Sequence, residues 1–299
     1  MQNKKRLIII DSNALLHRAF HALPPLATKN GEETGAIYGY LLILFKAIND
    51  LKANYVVACF DTKAPTFRHQ MFADYKGTRS KTPDQVVLQL PKIKLILDKF
   101  KIPVFAKEGV EADDLIATIC QIAPKQKENL EIYILSGDLD NLQLVNEAVK
   151  VYTLGKGIKD TVVYDEERVM SRFGVRPDQI IDFKALTGDA SDNIPGVKGV
   201  GKTTAANLMQ RFGNIKNLYD EIATDTAVLK PKIKELLKTN KENAFLSFKL
   251  AEMKKDCDID FKIEDCRFGN FDIKEASDIL RSFEFNTLIN RLNFLKNYE

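Results

Sequence analysis

The sequence predicts an α/β protein: a mostly parallel sheet with helices on both faces over residues 1–172, followed by an all-helical module over 173–299. Two observations carry this expectation. Short continuous apolar runs alternate with helix-length patterns through the first half, which is how parallel strands buried on both sides read. After about residue 172 the strand-like runs stop, and helical patterns separated by short glycine-containing turns replace them. The 299-residue chain, 45% hydrophobic and 28% charged, has the balance of a folded globular protein, which excludes disorder and fibrous repeats.

The first strand is expected at 7–10. The run in MQNKKRLIIID is only four residues long before Asp11, too short for a signal peptide. Further strands are expected at 55–60 (YVVACF), 102–105, 131–135 (EIYIL), 149–153 and 161–164, with helices at 37–51 and 86–100 between them. No apolar run approaches the ~20 residues that cross a bilayer. The four cysteines, Cys59, Cys120, Cys257 and Cys266, form no C-x-x-C pair, and there are only three histidines. Neither a disulfide framework nor a zinc cage is expected, and the expected location is the cytoplasm, with no membrane partner. The net charge of +3 is too mild to define a partner by itself, but the charges are segregated.

Three strand candidates run into aspartate: LIIID at Asp11, VVACFD at Asp61 and YILSGD at Asp138. Ligands of open parallel sheets bind outside the carboxyl ends of the strands, so these acids should share one locus. Glu111, Asp113 and Asp114 open a helix after the 102–105 strand, Asp140 follows Asp138, and Asp189 and Asp192 stand in TGDASDN at the entry to the helical module. Two unit charges ~4 Å apart repel by about 4 kcal/mol at an effective dielectric near 20, so such a cluster calls for counter-cations. All-oxygen donors without His or Cys favour hard divalent ions, Mg²⁺ or Mn²⁺, and a pair of them suits in-line phosphoryl transfer. Each acid alone has a plainer reading, as a helix cap, a favourable charge at a helix N-terminus or a turn residue. Capping does not explain why nearly every strand end is acidic.

Residues 196–203, GVKGVGKT, match the phosphate-loop pattern G-x-x-x-x-G-K-[ST], but no apolar strand precedes them and Pro195 stands just before the first glycine. A helix-hairpin-helix fits better, with helical stretches at 180–186 and 202–211. Gly196, Gly199 and Gly201 permit a tight turn whose amides can approach a DNA phosphate, and Lys198, Lys202 and Thr203 lie beside them. A plain interhelical turn is the competing reading. The segment 62–85 sets Lys63, Arg68, Lys76, Arg79 and Lys81 among Phe67, Phe72 and Tyr75 directly after Asp61. Lys76 and Arg79 suit phosphate clamping and Tyr75 stacking on a base; a solvated loop is the alternative. Arg18, seven residues after Asp11, could reach the same pocket or be an exposed structural arginine.

In order, LIIIDSNALLHRAFHAL, FDTKAPTFRHQMFADYKGTR, GVEADDLIAT, SGDLDNLQLV and LTGDASDNIPGVKGVGKTTA resemble the 5′ nuclease domain of bacterial DNA polymerase I, in the flap-endonuclease superfamily. The resemblance implies a PIN-like core with a helical arch at about 70–100, and a helix-hairpin-helix that also takes K⁺. It implies Asp11, Asp61, Glu111, Asp113 and Asp114 around one divalent ion, and Asp138, Asp140, Asp189 and Asp192 around a second. Tyr75, Lys76 and Arg79 match the arch motif and Arg18 the basic residue after the first strand; His17 stands where the family usually has Tyr. The implied activity is a two-metal 5′-3′ exonuclease and 5′-flap endonuclease acting on branched or 5′-ended DNA and RNA–DNA primer strands, in replication and repair. The implied partner is a DNA polymerase, fused or separate. A non-catalytic structure-binding protein and an ATP-driven switch using Lys202 are the readings it must displace.

Overall fold

The computed structural model describes residues 4–155, 157 and 160–295, so the outermost residues of both expected domains lie outside the described ones. The first strand, β1 (Lys5–Asp11), carries four consecutive residues, Leu7 to Ile10, with no exposed surface. Asp11 ends it and caps α1 (Ser12–Ala22). Next come α2 (Gly35–Leu51), β2 (Tyr55–Cys59), the single turn α3 (Phe67–Met71), α4 (Asp84–Lys99) and β3 (Val104–Phe105). They lead to α5 (Ala112–Gln126), β4 (Leu130–Leu135), β5 (Val149–Leu154) and β6 (Thr161–Tyr164). The sheet order is β3-β2-β1-β4-β5-β6, parallel throughout except for β6, which runs antiparallel to β5.

The helical module follows as α6 (Glu166–Phe173), α7 (Ile180–Thr187), α8 (Lys202–Phe212), α9 (Ile215–Ala223), α10 (Pro231–Thr239) and α11 (Lys241–Ala251). The chain closes with α12 (Ile273–Ser282), α13 (Asn286–Ile289) and α14 (Leu292–Leu295). Among the described residues no helix is long and apolar enough to cross a membrane.

Strand periodicity divides the core. Leu7 and Ile9 of β1 pack with α5 and with α7, α8 and α9, so the helical module shares one core with that face of the sheet. Ile8 and Ile10 face the other way, onto α1, α2 and α4. Two placements differ from the sequence expectation. Residues 271–295, grouped there with the second module, return to this far face: Phe271 packs against Phe100 with tilted rings and centroids 4.9 Å apart, and Leu280, Leu288 and Leu292 are buried with α2. α4, grouped with the arch, buries Val86, Ile93, Ile96 and Leu97 in the same core. The amphipathic face of a helix finds apolar surface wherever the sheet offers it, so what stands over the cleft is the shorter stretch between α3 and α4.

Candidate active site

β2, β1 and β4 are neighbours in the sheet, with Asp11 paired beside Cys59 and Ile10 beside Leu135. Their carboxyl ends therefore deliver Asp11, Asp61 and Asp138 to one edge, as the parallel register dictates. These three line an open cleft of about 880 Å³ together with Glu111, Asp113 and Asp192. His17, Arg18, Lys76 and Arg79 line it too. Asp114, Asp140, Asp189 and Tyr75 stand behind this wall and reach it through other groups.

Capping and convergence occur together. Asp11 accepts the Ala14 N–H through Oδ1 (3.2 Å) and the Ser136 hydroxyl through Oδ2 (2.6 Å). Asp61 accepts the N–H of Ala112 at 2.8 Å, tying β2 to the start of α5. Asp113 accepts from Asn141 Nδ2 at 3.1 Å, and Asp138 Oδ1 accepts the N–H of Asp140 at 3.0 Å. Burial pushes the Asp11 carboxyl up to about 7, with Asp61 and Asp138 adding to the rise. Burial and then Asp11, Asp138, Asp140 and Asp61 hold Asp113 well above the carboxylate range. Asp61 is raised chiefly by burial. Carboxyls raised by burial and then by one another's charge mark a site short of positive charge.

Cations satisfy the outer acids. Lys76 Nζ lies 2.7 Å from Glu111 Oε1, and Arg79 pairs with Asp192. Lys76 has a left-handed backbone (φ 56°) fixed by its N–H on the Asp192 carbonyl at 2.9 Å. Tyr75 was expected to stack on a base. Instead its ring is buried with Ile194 and Leu250, and its hydroxyl lies 3.2 Å from Glu111 and 3.1 Å from Asp192, so no face is open to a nucleobase. Arg18 borders the cleft but donates to the Gly155 carbonyl at 2.7 Å. Asp114, expected around the first ion, has no exposed surface and is committed to Arg68 and to the N–H groups of Glu111 and Lys254.

Sequence reasoning missed Arg68 as a site-building residue, as it did Lys184, which bridges Asp140 and Asp189. A cation near acids in the chain was the available signal, but partner choice over such separations is set by the fold.

Among the described residues no group of three or more His, Cys, Asp or Glu already stands in an arrangement that could hold a metal ion. Lysine, arginine and hydroxyl partners hold the acids instead: Lys76 pairs with Glu111, Arg79 with Asp192, and the Ser136 hydroxyl donates to Asp11. The donor set nonetheless fits a hard divalent cation: every cleft acid offers oxygen, burial and then neighbouring carboxylates hold Asp11 and Asp113 above the usual carboxylate range, and Asn141 Oδ1, beside Asp113, is buried without a partner.

On the neighbouring face, α7 is a helix and not a strand, which removes the phosphate-loop reading of 196–203. The turn between α7 and α8 is closed by the pairing of Asp189 with Ile194. Gly196 takes φ 62° and donates its N–H to Ser247 of α11 at 2.9 Å. Lys198, Gly199, Gly201, Lys202 and Thr203 are exposed along the turn and the start of α8.

This architecture, an acid-lined sheet edge with a glycine-turned helical module beside it, has clear relatives. Residues 6–174 match the 5′-3′ exonuclease N-terminal resolvase-like domain and residues 175–274 the 5′-3′ exonuclease C-terminal SAM fold. The chain is 39% identical over 292 residues to DNA polymerase I of Bacillus subtilis, covering 98% of this chain and 33% of that protein. It is 37% identical over 289 residues to the 5′-3′ exonuclease of Aquifex aeolicus, covering 97% and 96%. It thus spans about a third of the length of the DNA polymerase I relatives and nearly all of the shorter exonuclease. The T5 5′-exonuclease with bound zinc shares the fold at a TM-score of 0.69 and 21% identity, covering 99% of this chain and 100% of that one. So does the catalytic core of Rad2 in complex with DNA substrate, at 0.62 and 20%, covering 98% and 92%. The chain belongs to the 5′-3′ exonuclease family.

Proposed function

We propose that the chain is a divalent-metal-dependent nuclease that hydrolyses phosphodiester bonds in 5′-ended or branched DNA, including 5′ flaps and RNA–DNA primer strands. The observation that carries this reading is the set of six acids, delivered by three neighbouring strands, α5 and the loop after α7, in one open cleft. Asp11, Asp61, Glu111 and Asp113 would hold one ion, and Asp138, Asp140, Asp189 and Asp192 a second. Mg²⁺ or Mn²⁺ suits these hard oxygen donors; when bound, the ions supply nucleophile activation and charge stabilisation for in-line displacement.

The chain's own groups do the rest. Lys76 and Arg79 border the cleft from the segment between α3 and α4, where they can meet phosphate oxygens as charge develops. Tyr75 holds Glu111 and Asp192 from behind, and Arg18 stands across the cleft. Residues 1–172 carry most of the chemistry, with Asp189 and Asp192 joining from the loop after α7, and the rest of the module from 173 binds duplex. Its turn, with Gly196, Gly199 and Gly201, brings amides and Lys198, Lys202 and Thr203 to the backbone, with K⁺ as the cation suited to the turn. Such contacts carry no base information and fix the distance to the cut. A DNA polymerase, fused or separate, is the fitting partner, and the cytoplasm the fitting location.

The test is digestion of a 5′-flap substrate with Mg²⁺ or Mn²⁺, product lengths being measured for the wild type and Asp138→Asn. Cleavage that is lost in EDTA and falls by orders of magnitude in the variant is expected. Products absent in every lane would sink the reading.

A further inference from the structure

Lys184 stands in the last turn of α7 and is not among the residues to which the reading above gives a role. Its ammonium donates to Asp140, from the turn after β4, and to Asp189 Oδ2 at 2.7 Å, from the loop after α7. All three side chains are largely withdrawn from water, at 15%, 24% and 16% exposure. Asp140 is also backed by Asp138, whose Oδ1 accepts the Asp140 N–H at 3.0 Å. Two carboxylates from separate segments thus converge on one positive charge supplied by the chain itself.

An ammonium offers three donors and a divalent ion offers empty coordination positions, and both require the lone pairs of the same carboxylate oxygens. They cannot both be satisfied there, and their like charges repel at short range in a partly desolvated site. We propose that Lys184 is a built-in counter-cation that competes with a divalent ion for Asp140 and Asp189, so that the pair takes an ion only when the ammonium leaves. This rests on the reading of these acids as metal ligands. It gives Lys184 an effect opposite in sign to that of a purely structural lysine. A structural lysine holds the two acids together, and its loss would scatter them and weaken ion binding. A competing lysine lowers the affinity, and its loss would raise it.

The test is a titration of DNA-free protein with Mn²⁺, free ion being followed by electron paramagnetic resonance, for the wild type, the unbranched apolar Lys184→Met and the neutral polar Lys184→Gln. Both variants are expected to bind the weaker ion about tenfold more tightly or better, a gain of ~1.4 kcal/mol. Thermal unfolding supplies a second readout: Mn²⁺ should raise the melting temperature of Lys184→Gln more than that of the wild type. A variant that folds only with Mn²⁺ present would show Lys184 holding the two acids together and overturns the proposal. Unchanged or weaker Mn²⁺ binding by folded variants, or equal rises in melting temperature, overturns it while leaving the nuclease reading intact. Absence of saturable Mn²⁺ binding in every protein, wild type included, removes the metal reading and this inference with it.

Discussion

Arg68 and Asp114 form a bidentate ion pair, Nη1 to Oδ2 at 2.9 Å and Nη2 to Oδ1 at 2.8 Å, with both side chains almost entirely out of water. The same guanidinium donates to Leu250 O at 2.9 Å, Glu252 O at 2.7 Å and Glu111 Oε2 at 3.3 Å, so all of its donors have partners. It ties the base of the segment over the cleft to the end of α11 and to Glu111, the acid that caps α5. Asp114, which reads in the sequence like one more metal ligand, is consumed in making that joint.

Arg68→Ala is therefore expected to cost about 3–5 kcal/mol, because it strands buried carboxylates without their cation. Urea unfolding in EDTA measures this. Arg68→Lys should recover only part of the loss, since one ammonium cannot reproduce a two-pronged contact and two carbonyl bonds. A loss below about 1 kcal/mol would mean that the pair contributes little.

The raised Asp11 carboxyl predicts a pH dependence of the metal-free protein. Its ordinary value of 3.8 in the unfolded chain becomes about 7 in the folded one, through burial first and then Asp61 and Asp138. Between these values the native state holds the proton more tightly, so the contribution of Asp11 to stability is full below pH ~4 and declines as pH rises towards ~7. In EDTA the melting temperature should fall across that window, Asp11→Asn should reduce the fall by a few degrees, and divalent ions should restore most stability at the alkaline end. A wild-type curve that is flat or rises there contradicts the crowding of acids.

Two glycines of the hairpin separate conformation from contact. At Gly196 an added Cβ would lie 2.2 Å from the Gly188 nitrogen, on a backbone with φ 62°. At Gly201 it would meet nothing within 4 Å. Gly196→Ala should lose about 3 kcal/mol or more and with it duplex binding, whereas Gly201→Ala should stay within about 0.5 kcal/mol of the wild type. Thermal unfolding and fluorescence anisotropy with a short duplex distinguish them.

Lys198→Ala and Lys202→Ala should each weaken duplex binding without regard to sequence, and each should reduce the slope of log affinity against log salt by about one. Anisotropy titrations between 50 and 200 mM salt, conditions of the order at which such slopes are read, check this. An unchanged slope would place the duplex elsewhere on the module.

Much of the scaffold was legible before any coordinates. Asp11, Asp61 and Asp138 could be placed together because parallel strands put their carboxyl ends on one edge, and β2, β1 and β4 prove to be adjacent. The α7–α8 turn was legible from its glycines and from the absence of a preceding strand. Tyr75 was not: a tyrosine in a basic segment reads as a stacking platform, and only packing against Ile194 and Leu250 turns it inward. Arg68 chose an acid 46 residues away, and Lys184, besides its chain neighbour Asp189, one 44 residues away, choices that no local spacing encodes.

The return of α12–α14 to the far side of the sheet has a consequence for anyone trimming this chain. The match to the helical family domain ends at residue 274, yet Leu280, Leu288 and Leu292 beyond it are buried in one core with α2. A fragment cut where the recognisable motifs stop would leave greasy surface bare and should precipitate, although every acid of the cleft would still be encoded in it.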